Sequence, residues 1–278
     1  LTQPLPFTPF KDFTGRSINE INLYSTEMSS ALCSIDRVSA SANMNNRLSE
    51  AIVEAYKSTN GAPISFELML KCYQSRMKDA NNDDSISSVL KQLVNAHIFE
   101  SEDKVSLIDD SYIIKMDGYP KDGPIAKAIV YFLMSKLNNI YELLDKQAVN
   151  DEVVQIRHFS IIDEAHYMLD FDNRPLRNLI AVGRNKGLSI ILATQNMSSF
   201  KSKGFDFYAN AQYPLIMKQQ TIDDKVIKDL FGVSGQELQE IRTAIAGLQK
   251  GELIIKDQMA FALGMGNKYK KINVTHLI

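Results

Sequence analysis

The chain has 278 residues, of which 45% are hydrophobic and 23% charged, with a mean hydropathy of -0.17; a globular chain with a sizeable core fits this make-up, and a disordered, collagenous or coiled-coil protein does not. Lys+Arg 31 against Asp+Glu 33 leaves a net charge of -2 and a pI near 6.1, so no overall basic field marks a nucleic-acid binder, although the second half carries a slight basic excess. Two separated cysteines, Cys33 and Cys72, the lack of an apolar run near the roughly 18 residues of a bilayer span, and a start without a signal-peptide pattern predict a reducing, cytoplasmic setting.

The opening on Leu1 is what a piece of a longer protein would show. Up to about Asn43 no period is sustained, which predicts a short strand over 5–10 followed by loop or short helix. From Asn46, Leu48, Ile52, Val53 and Tyr56 recur at helical spacing and stop at Asn60-Gly61. A second helix is predicted after Ser65, whose hydroxyl can cap it, and a third from about Asp84 through Val94. Residues 46–99 thus read as a helical subdomain. Two β-rich runs, 104–108 and 112–117, flank Asp109-Asp110-Ser111 and predict a hairpin.

Pro124 opens a long amphipathic helix to Leu144, followed by a polar linker over 149–152. The chain then alternates: strand 156–162, helix 175–186, strand 188–193, strand 213–217. Such alternation predicts an α/β fold with a parallel sheet and crossover helices. Helices over 223–231 and 236–246, a strand over 252–256 and a closing strand over 272–275 complete the chain.

The chemistry concentrates where Phe159-Ser160-Ile161-Ile162 runs into Asp163-Glu164-Ala165-His166. An apolar strand ending in two acids places both carboxylates at the strand edge where α/β proteins bind nucleotides. Asp163 suits Mg²⁺ held through water, and Glu164 suits the base that takes a proton from the water attacking a γ-phosphate. A solvated acidic turn would look the same in isolation. Further on, Gly183-Arg184-Asn185-Lys186-Gly187 precedes an apolar strand that ends in Ala193-Thr194-Gln195. Gln195 would stand beside Glu164 and touch both water and phosphate. Arg184 and Lys186 could pair with phosphates on an adjacent subunit, or simply form a cationic helix end.

In this order the motifs resemble HerA/FtsK-type DNA-translocating ATPases, a layout shared by conjugative secretion ATPases. Tyr208-Ala209-Asn210-Ala211 and Leu248-Gln249-Lys250-Gly251-Glu252 extend the match. The resemblance implies a RecA-like P-loop ATPase core with a parallel sheet and a helical insertion, with 1–45 opening the core, 46–99 inserted and 100–278 carrying the motifs. It implies Asp163 as the Walker B metal residue, Glu164 as catalytic base, Gln195 as sensor, Arg184 as an arginine finger acting in trans and Lys186 as a second nucleotide-binding cation. ATP and Mg²⁺ are the implied cofactors, and double-stranded DNA and a homo-oligomeric ring the implied partners. The stretch around 159–187 and the opening Pro4-Leu5-Pro6-Phe7 most resemble the ATPase subunits of phosphorothioation-dependent DNA restriction systems. Other restriction subunits would then also be partners.

One motif departs from this pattern. No segment fits G-x-x-x-x-G-K-[ST], whose backbone N–H groups cradle phosphates. The expectation is therefore a chain that lacks the Walker A strand and loop and hydrolyses no ATP alone. A non-catalytic scaffold with an ATPase fold and a fragment of a DEAH-type helicase are the competing readings. The helicase would need a Ser-Ala-Thr motif where Ala193-Thr194-Gln195 stands. His158 and His166 read as satisfied histidines, and Lys268, Lys270 and Lys271 as a solvated turn, with a DNA phosphate contact as the minority reading.

Overall fold

The computed structural model describes residues 4–35, 40–78, 83–150, 153–169, 171–202, 205–211, 213–263 and 268–274. Two compact units emerge, Leu1–Ile161 with Phe171–Ile191, and Ile162–Asp170 with Leu192–Ile278.

The first unit begins with the segment predicted as strand 5–10, which makes only one parallel bridge, Leu5 to Phe99. Pro4, Pro6 and Pro9 remove the donors a ladder needs. Its Phe7 and Phe10 are buried instead, and Phe10, Phe66, Phe99 and Phe132 meet edge-on or tilted at centroid distances of 4.9 to 6.2 Å. Helix α1, Ile18–Ile35, occupies what the sequence suggested was loop or short helix. Its buried stripe mixes Ile21, Met28, Leu32 and Ile35 with Ser25 and Ser29, so the small polar residues hide the apolar period. A local signal was present: the Ser17 hydroxyl accepts from Glu20 N–H and the Glu20 carboxylate accepts from Ser17 N–H, a capping box.

Helices α2 (Ala42–Ser58), α3 (Phe66–Gln74) and α4 (Ser85–Ala96) follow as predicted, capped by Ser41, Ser65 and Asp84. Asp84 also accepts hydrogen bonds from Tyr73 at 2.6 Å and Arg47 at 3.2 Å, tying α4 to α3 and α2. The predicted hairpin is absent: 104–108 and 112–117 form turns and extended chain. Leu107 is buried whereas Ile113 is 88% exposed, so the two runs share no apolar face, and Ser106–Asp109 and Tyr112–Asp110 contacts satisfy the loop locally. Helix α5, Pro124–Leu143, starts on its proline and buries Ala128, Ile129, Phe132 and Leu137 in the core. Beyond it β1 (Val149–Asn150), at the start of the expected linker, pairs antiparallel with β2 (Val153–Val154) just past its end; 151–152 lie outside the described residues.

A strand-helix-strand crossover then forms from β3 (His158–Ile162), α6 (Arg174–Val182) and β4 (Leu188–Leu192). His158 N–H donates to Gly187 C=O at 3.2 Å at one end, and Ala193 N–H to Ile162 C=O at 2.9 Å at the other. Numbers rise together along both strands, so the pair is parallel, as predicted.

The second unit takes over at the ends of these strands. Two-residue strands β5 (Lys201–Ser202) and β6 (Phe205–Asp206) pair antiparallel, and a short helix α7 (Phe207–Asn210) follows. Strand β7 (Leu215–Met217), expected to continue the parallel sheet, instead pairs antiparallel with β8 (Glu252–Lys256). Between them lie two helices, α8 (Asp224–Phe231) and α9 (Gly235–Ala246), not one. Two helical passes return the chain to the end of β7 that it left, so the next strand runs backwards. After α10 (Gln258–Leu263), strand β9 (Tyr269–Asn273) adds antiparallel to β8; Thr275 of the predicted closing strand lies outside the described residues. Ile216 and Ile254 face α8 and α9 across a core of Val226, Ile227, Phe231 and Ile245. No helix among the described residues is long and apolar enough to cross a membrane.

Candidate functional site

Asp163 and Glu164 stand at the C-terminal end of β3, as the sequence predicts. The turn they form is clasped to the next strand: Ala193 N–H donates to Ile162 C=O at 2.9 Å, and Ala165 N–H to Ala193 C=O at 2.8 Å. Ala165 is fully buried, so the chain closes tightly behind the acids. Asp163 is exposed, and one of its oxygens accepts from Glu164 N–H at 2.9 Å. Glu164 has φ 52° and ψ 41°. Three non-glycine residues have positive φ among the described residues; Asn60 and His97 end helices, where that conformation is common, whereas Glu164 follows a strand. Strain of this kind collects at functional sites.

Glu164 also has a defined partner. Gln195, just past β4, donates from Nε2 to Glu164 Oε1 at 2.6 Å, which joins the two residues that the motifs paired. The other oxygen, Oε2, is buried without a hydrogen-bond partner. His166 Nδ1 lies 3.4 Å from it but out of line for a hydrogen bond, and sits 3.3 Å from Thr194 Oγ1. His166 and Thr194 therefore complete a cluster in which sequence reasoning had singled out only Glu164 and Gln195. The signal for Thr194 was its place within Ala193-Thr194-Gln195, and for His166 its place two residues after Glu164. His158 is separate: it contacts the Tyr141 ring at 6.5 Å, and burial lowers its pKa below the usual 6.5.

Arg184 and Lys186 belong to the first unit, in a tight turn over Gly183–Lys186 between α6 and β4. Of the flanking glycines, Gly187 is required by its close approach to main chain and its positive φ, whereas Gly183 approaches the movable side chain of Leu188. A Cβ on Gly183 would lie 2.8 Å from Leu188, and one on Gly187, which has φ 83°, would lie 2.8 Å from Gln155 C=O. Arg184 is exposed. Lys186, read from the sequence as a phosphate cation, donates from Nζ to Tyr141 C=O at 2.6 Å and Glu142 C=O at 3.1 Å, at the end of α5. A cation on terminal carbonyls is a stabilising arrangement, and the helix it serves is α5, not the one it follows.

For Mg²⁺ the donor set is the single exposed carboxylate of Asp163, with one oxygen on Glu164 N–H. A hard carboxylate at a strand end, supplemented by waters and substrate phosphates, is how this ion is commonly held, so Asp163 fits. Elsewhere, Lys268, Lys270 and Lys271 pair with Glu237, Asp257 and Glu252; the last two lysines lie on β9, not in a solvated turn. Neither cysteine is in a disulfide, and burial pushes the Cys33 thiol up to about 11 and also raises Cys72, so neither is a thiolate near neutrality.

No protein-family model matches the chain, and no curated protein matches it. Among solved structures it is similar over 97% of its length to VirB4 of Thermoanaerobacter pseudethanolicus, with a TM-score of 0.64, 17% identity and 73% of that chain covered. The plasmid coupling protein TrwB in complex with the non-hydrolysable ATP analogue ADPNP matches over 98% of this chain and 72% of its own, at a TM-score of 0.54 and 13% identity. An unbound monoclinic form of the bacterial conjugative coupling protein TrwBdeltaN70 matches over 97% of this chain and 72% of its own, at 0.55 and 11%. Such identities establish the fold alone: α/β with a parallel sheet, of the RecA-like kind that these structures share.

Proposed function

We propose that this chain supplies the Walker B, sensor and arginine-finger portion of an ATP-hydrolysing motor that acts on double-stranded DNA. The Glu164–Gln195 contact at 2.6 Å, on a turn clasped to the neighbouring strand, carries the reading. Mg²⁺, when bound, neutralises charge on the transferring phosphate. Asp163 holds its hydration shell. Glu164 accepts a proton from the attacking water through a carboxylate oxygen, and Gln195 orients that water from the other side. Arg184 reaches a neighbouring subunit's nucleotide in a homo-oligomeric ring. Residues 46–99 form the helical insertion, and the phosphate loop comes from outside this sequence.

The finer reading is a DptH-like motor of a phosphorothioation-dependent restriction system, with other restriction subunits as partners. It rests on the resemblance of 159–187 and of the opening Pro4-Leu5-Pro6-Phe7. The test is ATP turnover by the complete protein with and without duplex DNA. Turnover should rise with DNA, and Glu164→Gln should lower kcat by about 10²- to 10⁴-fold while ATP binding persists. Unchanged turnover in that variant would remove the catalytic reading and favour a scaffold.

A further inference from the structure

The main chain of the 183–187 turn and its Lys186 side chain are anchored, whereas Arg184 and Asn185 are exposed. Gly183 packs against the Leu188 side chain, 2.8 Å from where a Cβ would stand. Asn185 C=O accepts from Gln147 N–H at 2.9 Å. Gly187 C=O accepts from Arg157 N–H at 2.7 Å and from His158 N–H at 3.2 Å, while Gly187 N–H returns to Arg184 C=O at 3.0 Å. Lys186 adds the two bonds to the Tyr141 and Glu142 carbonyls. The guanidinium of Arg184 is exposed, with no hydrogen-bond or ion-pair partner among the described residues.

From this geometry we infer that Lys186 is a positioning residue: it fastens the turn to the end of α5 so that Arg184 projects in one direction toward a phosphate of another subunit. The inference rests on the proposed role of Arg184 and reassigns Lys186 within it. An ammonium has three donors and no acceptor. Two are engaged by main-chain carbonyls at the end of α5, Tyr141 C=O, which also accepts from Leu144 N–H at 3.4 Å, and Glu142 C=O, so bringing this ammonium to a nucleotide would give up both bonds. A guanidinium, in contrast, has a planar fork suited to phosphate oxygens, and that group is the one left in solvent. Tethering also lowers the cost of ordering. An arginine on a loose loop must be immobilised at the moment of reaction, whereas here the main chain beneath it is already held.

The experiment is a double-mutant cycle in the complete protein, read as kcat and KM for ATP with thermal unfolding alongside. Arg184→Ala should lower kcat by about 10³-fold or more. Lys186→Met should lower kcat by about 10- to 100-fold, the loss that follows misplacement by about an ångström, with KM little changed. Lys186→Arg, which still offers donors to both carbonyls, should recover most of that loss. In the Arg184→Ala background, Lys186→Met should cost nothing further, because a residue acting through Arg184 has nothing left to act through. Were the lysine to bind nucleotide itself or merely hold the fold, the double variant would be slower than Arg184→Ala, or KM would rise, and the positioning role would be overturned. Full activity of Lys186→Met beside an inactive Arg184→Ala would overturn the inference alone, whereas full activity of Arg184→Ala would overturn the finger reading with it.

Discussion

Replacing Glu164 by Gly, Ala and Gln separates what this residue costs the fold from what it does for catalysis. Its φ of 52° lies in the left-handed region, which costs a non-glycine residue about 1–2 kcal/mol. Glycine at an ordinary position is worse than alanine by about 0.5–1 kcal/mol, from chain entropy. At position 164 the first term is the larger, so the usual order inverts, and Glu164→Gly should be the more stable of the two by roughly 1 kcal/mol. Both truncations lose the bond to Gln195 and both remove the unpartnered buried Oε2. Those effects oppose each other and cancel when the two variants are compared. Thermal unfolding followed by circular dichroism should show a gap on the order of 2 °C in favour of glycine, while ATP turnover in the complete protein is lost in both. Glu164→Gln keeps the main-chain cost and should melt near the parent. An alanine variant as stable as the glycine variant would show that this turn is unstrained, and the clasp from Ala193 would no longer explain how the acid is presented.

Three further outcomes follow from the geometry. Asp84 caps α4 and accepts from Tyr73 and Arg47, so Asp84→Ala should destabilise by roughly 2–4 kcal/mol in chemical denaturation, and Asp84→Asn, which keeps the capping oxygen, by about half as much. His158 has its pKa lowered by burial, so the unfolded chain takes up that proton first. Stability present above pH 6.5 should therefore decline as pH falls below it, and His158→Phe should flatten that part of the stability profile. Glu164→Gln in the complete protein should keep ATP binding while turnover falls, as a filter-binding assay run beside a phosphate-release assay would show.

Short-range chemistry was readable without coordinates. Ser65 and Asp84 start helices because a side-chain oxygen can satisfy their free N–H groups, and Pro124 starts one because it needs no donor there. The strand-acid turn at 163–164 and the Gln at 195 were likewise visible as motifs, since each ends an apolar run. Local pattern is silent where a residue's partner is far along the chain. Helix α1 escaped because Ser25 and Ser29 take core positions, and the hairpin over 104–117 failed because alternation alone does not supply a common buried face.

The sequence by itself determined the class of fold, the order of its crossovers and which side chains stand at the strand ends, because those depend on residues a few positions apart. Only the tertiary structure decided that β7 runs antiparallel to β8, that Glu164 is held in a left-handed turn against Gln195, and that Lys186 grips the end of α5 while Arg184 stays in solvent. Each of these depends on groups brought together from 31 to 45 residues apart, and separations of that size are closed by packing, which no local pattern records.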